Sequence, residues 1–123
     1  MSGRSISLGD MLLVSLPAHS PEGREQAGVR PAVVVGSPES LGVPRFPLCI
    51  VAPLTTREGE WSRRAPDLYP RLGAGNGGLT KDSTVLLDQV RSVDSSRVRG
   101  YLGSLSSRDL DPIQSGMRRI FGL

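Results

Sequence analysis

Arg30 and Thr55 stand where the sequence suggests the ends of two β-strands. Arg30 closes the polar stretch GREQAGVR, which turns at Pro31 into the β-branched run Pro31 to Gly36. The proline biases the residue before it toward extended backbone, so the guanidinium is held at the mouth of a sheet rather than on a floppy arm. Thr55 and Thr56 end the apolar run PLCIVAPLTT, Pro47 to Thr56, at its exit into a long basic loop. Fixed N–H donors and a hydroxyl facing one phosphate suit phosphodiester chemistry without a metal. Cutting RNA through its own 2′-hydroxyl requires that the hydroxyl lose a proton, that the phosphorane be neutralised, and that the 5′-oxygen leave. Arg30 can neutralise the phosphorane, Thr55 can add a hydrogen bond, and Glu25 or Asp88 can accept the proton. Plainer readings exist for the same residues: an arginine before a strand pairs with a surface carboxylate, and a threonine at a strand end caps a turn.

Other chemistries fit poorly. One histidine and one cysteine cannot make a structural zinc site. No G-x-x-x-x-G-K-[ST] loop is present, and the AGNGG cluster at Ala74 to Gly78 lacks the strand–helix context of a dinucleotide site and reads as a turn. His19, in a loop between Pro17 and Pro21, is a poor member of a Ser/His/Asp triad. Cys49 lies inside an apolar strand and reads as a small buried hydrophobe; being alone, it excludes an intramolecular disulfide. No run is long and apolar enough to span a membrane, and MSGRSISLGD lacks the apolar core of a signal peptide, so cytoplasmic residence is the expectation. Of the 15 basic residues all but Lys81 are arginine, whose planar fork grips phosphate; a genome that favours arginine codons would give the same bias.

The elements that must position these residues follow from patterning. At 123 residues, with 15 glycines and 10 prolines, one domain of short strands and many turns is expected. Strands are read at Asp10 to Leu16, Pro31 to Gly36, Pro47 to Leu54, Ser83 to Val90 and Tyr101 to Leu105, with Asp67 to Leu72 as a short edge strand. Ser37 to Arg45 has room for one helical turn, and Asp94 to Arg99 reads as a brief helix capped by Asp94. Arg57 to Lys81 carries Arg57, Arg63, Arg64, Arg71 and Trp61 without a clear pattern, and loops this long are usually functional or disordered. Ser106 to Leu123 is the convincing helix: Ser106 and Asp109 form a start signal, and Leu110, Ile113, Met117, Ile120 and Phe121 make one apolar face. The fold class is α+β, mostly β: a small, curved, mostly antiparallel sheet or barrel, with the C-terminal helix capping one open side.

Five segments taken in order, GD-x-LLV, GREQAGVRPAVVV, VAPLTT, GGLTKDSTVLLDQVRSVD and LSSRDLDPIQSGMRRIFGL, resemble the MazF/PemK family of toxin endoribonucleases over roughly Leu8 to Leu123. The resemblance implies an SH3-like barrel that pairs as a homodimer and cleaves single-stranded RNA at short sequences. Cleavage would need no metal or other cofactor and would leave a 2′,3′-cyclic phosphate and a 5′-hydroxyl. It also implies a cognate antitoxin whose acidic C-terminal segment lies over the RNA groove. By motif, Arg30 and Thr55 match the catalytic pair, Glu25 and Gln26 the loop that lines the site, and Asp88 and Gln89 positions near the scissile phosphate or its bases. Arg30 is then both charge stabiliser and proton donor, with Glu25 the base. Some members carry an arginine, proposed as general acid, two residues before Asp88; here it is Leu86.

The loops depart from the family. PAHSPEG is longer than is common, and Glu58 to Arg64 adds charge and Trp61, so the cut motif is not readable. Arg24, Thr56, Arg57, Arg63 and Arg64 are candidate substrate contacts, and Trp61 could stack a base or cover core. Two other readings compete with the nuclease: a non-catalytic binder like the gyrase-poisoning relatives of this fold, and a degenerate homologue that binds only antitoxin or nucleic acid.

Overall fold

The computed structural model describes residues 5–18 and 20–123; His19, singled out in the first loop, lies outside the described residues. In chain order the elements are β1 Asp10–Leu16, β2 Gly28–Gly36, β3 Leu48–Thr55, α1 Glu60–Arg64, β4 Arg71–Leu72, β5 Ser83–Val85, β6 Arg91–Asp94, β7 Val98–Ser104 and α2 Ser107–Ile120. The strands make a curled antiparallel sheet in the order β4-β5-β3-β2-β1-β7, and β6 also pairs with β3. Alternation along β1, β2 and β3 sends Met11, Val33, Ala52 and Leu54 to one face, where Leu72, Val85, Leu87 and Ile113 of α2 complete a core. Leu12, Val14, Ala32, Val34 and Val51 turn to the other face and are buried with Cys49, Val93 and Val98. Burial on both faces explains why these strands read as continuous apolar runs.

The C-terminal helix forms as its start signal implies. The Ser106 hydroxyl accepts the Asp109 N–H at 3.3 Å, satisfying one of the helix's orphan donors. Ile113 is fully buried, with Leu110 and Met117 packed against the same core. Ile120 and Phe121, expected on this apolar face, are exposed in and just past the last turn. Asp94 caps its 3-10 turn, accepting the Ser96 N–H at 2.9 Å. AGNGG forms a turn in which Gly78, at φ +77°, lies so close to the Leu102 carbonyl that a Cβ there would collide with it.

Three expectations are corrected. Strand β2 begins at Gly28, so Arg30 lies within the strand, opposite Val14, instead of before it. Pro31 is therefore an interior residue. By the alternation of the ladder it turns its backbone toward β3, where it has no N–H to give. The β2–β3 pairing accordingly stops at Ala32–Pro53, while β2 continues along β1 and β3 continues along β5. Secondly, the expected strand Ser83 to Val90 ends at Val85, and the next strand, β6, starts only at Arg91. The Pro53 carbonyl accepts the Leu86 N–H at 2.9 Å, but Pro53 offers that strand no N–H in return. Leu87 to Val90 then bulge out against the single residue Ala52, with Leu87–Gln89 as a 3-10 turn, before pairing resumes at Arg91–Val51. Thirdly, β7 starts at Val98, and the patternless loop holds a short helix, α1, whose Ser62 and Arg63 N–H groups donate to the Gly59 carbonyl while the Ser62 hydroxyl accepts the Gly59 N–H.

Candidate active site

The end of the β2–β3 ladder is a fork. Arg30 lies two residues before Ala32 on β2 and Thr55 two residues after Pro53 on β3, so both side chains emerge on the same face, one on each arm. Arg30 is exposed, and its Nε donates to the Ala27 carbonyl at 3.1 Å, which steers the guanidinium along its own loop. The Thr55 Oγ accepts the Arg57 N–H at 3.2 Å. With one lone pair so engaged, the hydroxyl can turn its proton to an incoming oxygen. Alternation sends Thr56 the other way: it lines a separate hollow with Leu13, Pro31, Leu79 and Leu102, and the fold does not bring it to Arg30 and Thr55.

The loop leading into Arg30 is pinned by the bulge. The Gln89 amide takes the Gln26 N–H at 2.6 Å and donates to the Arg24 carbonyl at 3.5 Å, while Arg91 donates to the Gln26 carbonyl at 3.3 Å. Gln89, expected near phosphate or bases, thus applies both ends of its amide to the loop backbone, and Gln26 contributes its main chain. Arg24, Glu25, Asp88, Gln89, Val90 and Arg91 line a hollow of about 320 Å³ beside this contact. The Glu25 carboxylate folds back over Gly23, where a Cβ would come within 2.6 Å of its Oε1. Two carboxylates and two guanidiniums therefore share one opening.

Asp88 is held from the other side. The Tyr69 hydroxyl donates to its Oδ2 at 2.6 Å; that hydrogen bond first, then burial, lifts the Tyr69 hydroxyl from an ordinary 10.0 to about 12. Trp61, on α1, meets Tyr69 edge to face at 4.9 Å between ring centres. Thr84, fully buried on β5 opposite Thr55, accepts from Arg71 Nη1 at 2.8 Å, and Arg71 Nη2 meets Glu58 at 2.8 Å. Arg63 and Arg64 sit in exposed ion pairs with Glu58 at 3.7 Å and Glu60 at 3.1 Å, contacts weak enough to be exchanged for a ligand. Sequence reasoning does not single out Tyr69 or Thr84; a threonine within the apolar run STVLLDQV was the available signal. A hollow of about 530 Å³ lies at the opposite end of β3 near Cys49 and is lined by Glu39 and Asp94 without a basic residue, which makes it unsuited to phosphate. Among the described residues no three His, Cys, Asp or Glu side chains are grouped to share a metal ion, and no helix is long and apolar enough to cross a membrane.

Residues 7–121 match the family of PemK-like, MazF-like toxins of type II toxin–antitoxin systems. Endoribonuclease MazF of Staphylococcus saprophyticus is 30% identical over 116 residues, covering 94% of this chain and 90% of the relative. Among solved structures, MazF from Deinococcus radiodurans superposes with a TM-score of 0.74 at 23% identity, over 98% of this chain and 100% of that one. A mycobacterial endoribonuclease in complex with its cognate antitoxin gives a TM-score of 0.65 at 18% identity, over 98% and 97% of the two chains.

Proposed function

The chain belongs to the PemK-like, MazF-like toxins of type II toxin–antitoxin systems and is an endoribonuclease of that family, and on this premise we propose that it cuts single-stranded RNA at a short recognised sequence by metal-independent attack of a 2′-hydroxyl. Glu25 takes the 2′-hydroxyl proton as the 2′-oxygen bonds to phosphorus. Arg30 and Thr55 hold the non-bridging oxygens as charge builds on the phosphorane. The bond to the 5′-oxygen then breaks with a proton from Arg30, leaving a 2′,3′-cyclic phosphate and a 5′-hydroxyl. Asp88, which already accepts the Tyr69 hydroxyl, serves as a wall of the site instead of its base. The observation that carries the reading is the emergence of Arg30 and Thr55 on one face, on the two arms of the fork.

The relative solved with its cognate antitoxin supports a matching partner here, an antitoxin whose acidic C-terminal segment competes with RNA for Arg24 and Arg30. The toxin acts as one domain, as a homodimer, in the cytoplasm where its RNA is found. Inducing the chain in cells and mapping RNA ends tests this. Growth arrest with 5′-hydroxyl ends at one repeated motif is expected. Arrest with intact RNA would overturn the nuclease in favour of a gyrase-type target, and no arrest without antitoxin would leave only a degenerate binder.

A further inference from the structure

The row of side chains that starts at the fork does not end at Thr55. Thr84 stands directly opposite Thr55 on β5, and Arg71 directly opposite Thr84 on β4, so the three share a face with Arg30. Successive strands lie about 4.8 Å apart, which sets Arg71 about 10 Å across the sheet from Thr55. Arg71 is not a loosely tethered surface arginine. The fully buried Thr84 hydroxyl fixes Nη1, and the side chain keeps 40% of its surface exposed. Arg63, Tyr69 and Ser62 border the same hollow of about 460 Å³. Glu58 is seated between the two guanidiniums, at 2.8 Å from Arg71 and 3.7 Å from Arg63. One carboxylate bridging two forks occupies the geometry that a phosphodiester oxygen pair would take.

We propose that Arg71, with Arg63 beside it, is a second phosphate-binding pole for single-stranded RNA, filled in the free protein by the Glu58 carboxylate and engaged when a backbone phosphate beyond the scissile one displaces it. The proposal rests on the nuclease reading and names a subsite within it. Glu58 lies on the loop running from Thr55 to α1, so it can swing away without disturbing a strand. Displacing it breaks two exposed ion pairs and forms one or two charge-assisted contacts to phosphate.

The test uses an oligonucleotide spanning the mapped cut site, with 2′-deoxyribose at the attacked nucleotide so that binding is read without cleavage. Glu58→Gln should tighten its binding several-fold. Arg71→Ala should weaken it about tenfold and lower the salt slope by about 0.7, the value for one single-strand phosphate contact. With the cleavable RNA the Arg71→Ala loss should show in KM rather than kcat. Replacing one linkage in the oligonucleotide by a neutral methylphosphonate should erase the difference between wild type and Arg71→Ala. Because Arg71→Ala also strands the Thr84 hydroxyl, Arg71→Lys is run in parallel, keeping charge but losing the fork. The subsite is overturned if wild type cuts RNA but no single neutral linkage removes the Arg71 effect. It is likewise overturned if Glu58→Gln tightens only an acidic antitoxin peptide. A wild-type chain that neither binds nor cuts RNA would instead sink the nuclease reading itself.

Discussion

On the proposed mechanism a guanidinium must meet a short-lived phosphorane and cannot search for it, so what matters at the scale of single residues is how Arg30 is aimed. Its Nε is anchored to Ala27, whose loop is pinned in turn by Gln89 and Arg91, and the Arg57 N–H orients Thr55. Arg30→Ala should therefore lower kcat by at least about a hundredfold. The melting temperature should hold, since the side chain is exposed, and circular dichroism with a cleavage assay checks both. Tyr69 offers a second test. Its proton is retained to about 12 against an ordinary 10.0, so the contact with Asp88 contributes stability that is whole below pH 10 and is lost as pH rises through about 12. Any stability advantage of wild type over Tyr69→Phe should vanish across that window in denaturant melts. That Arg30 and Thr55 would share a face was legible from their places near the ends of two strand-like runs, although Arg30 lies inside β2 rather than before it. The strut made by Gln89 was not legible, because its partner Gln26 lies 63 residues away and nothing in either neighbourhood announces the contact.

Among the elements, the bulge Leu87 to Val90 controls the site's shape. Leu87 is buried in the core under α2, and Gly116 of that helix approaches so closely that a Cβ would lie 2.5 Å from Leu87 Cδ1. Leu87→Ala should cost about 2–5 kcal/mol of stability. It should also reduce cleavage under conditions where the chain is still folded, because Asp88 and Gln89 ride on the same turn; urea melts beside activity assays measure the two losses. Strands β1 and β3 and helix α2 could be read directly, the first two from unbroken apolar runs and the last from its start signal and 3.6-residue spacing. The start of β2 could not: Gly28, Val29 and Arg30 are exposed and gain their extended form from pairing with β1. The break after Val85 was equally hidden, for its cause, Pro53, sits in a different strand. EWSRR has no apolar stripe, so α1 carried no periodic signal.

On the scale of the whole molecule, β3 is the common member. It pairs with β2, β5 and β6, and its residues enter both cores. Cys49 lies in that strand, 3% exposed, and burial first, then Asp94, pushes its thiol above the ordinary value, so little thiolate forms. Thiol-reagent labelling should consequently be slow and should follow global unfolding in a denaturant series; rapid labelling of the native chain would place Cys49 outside the core. The proline at position 31 has a further consequence for this architecture. A ring nitrogen without hydrogen cannot extend the seam toward Arg30, so the gap between the two arms exists before any nucleic acid arrives. On the proposed reading the polymer would enter a doorway that covalent structure has already propped open, with none of its attraction to the protein diverted into prising backbone apart.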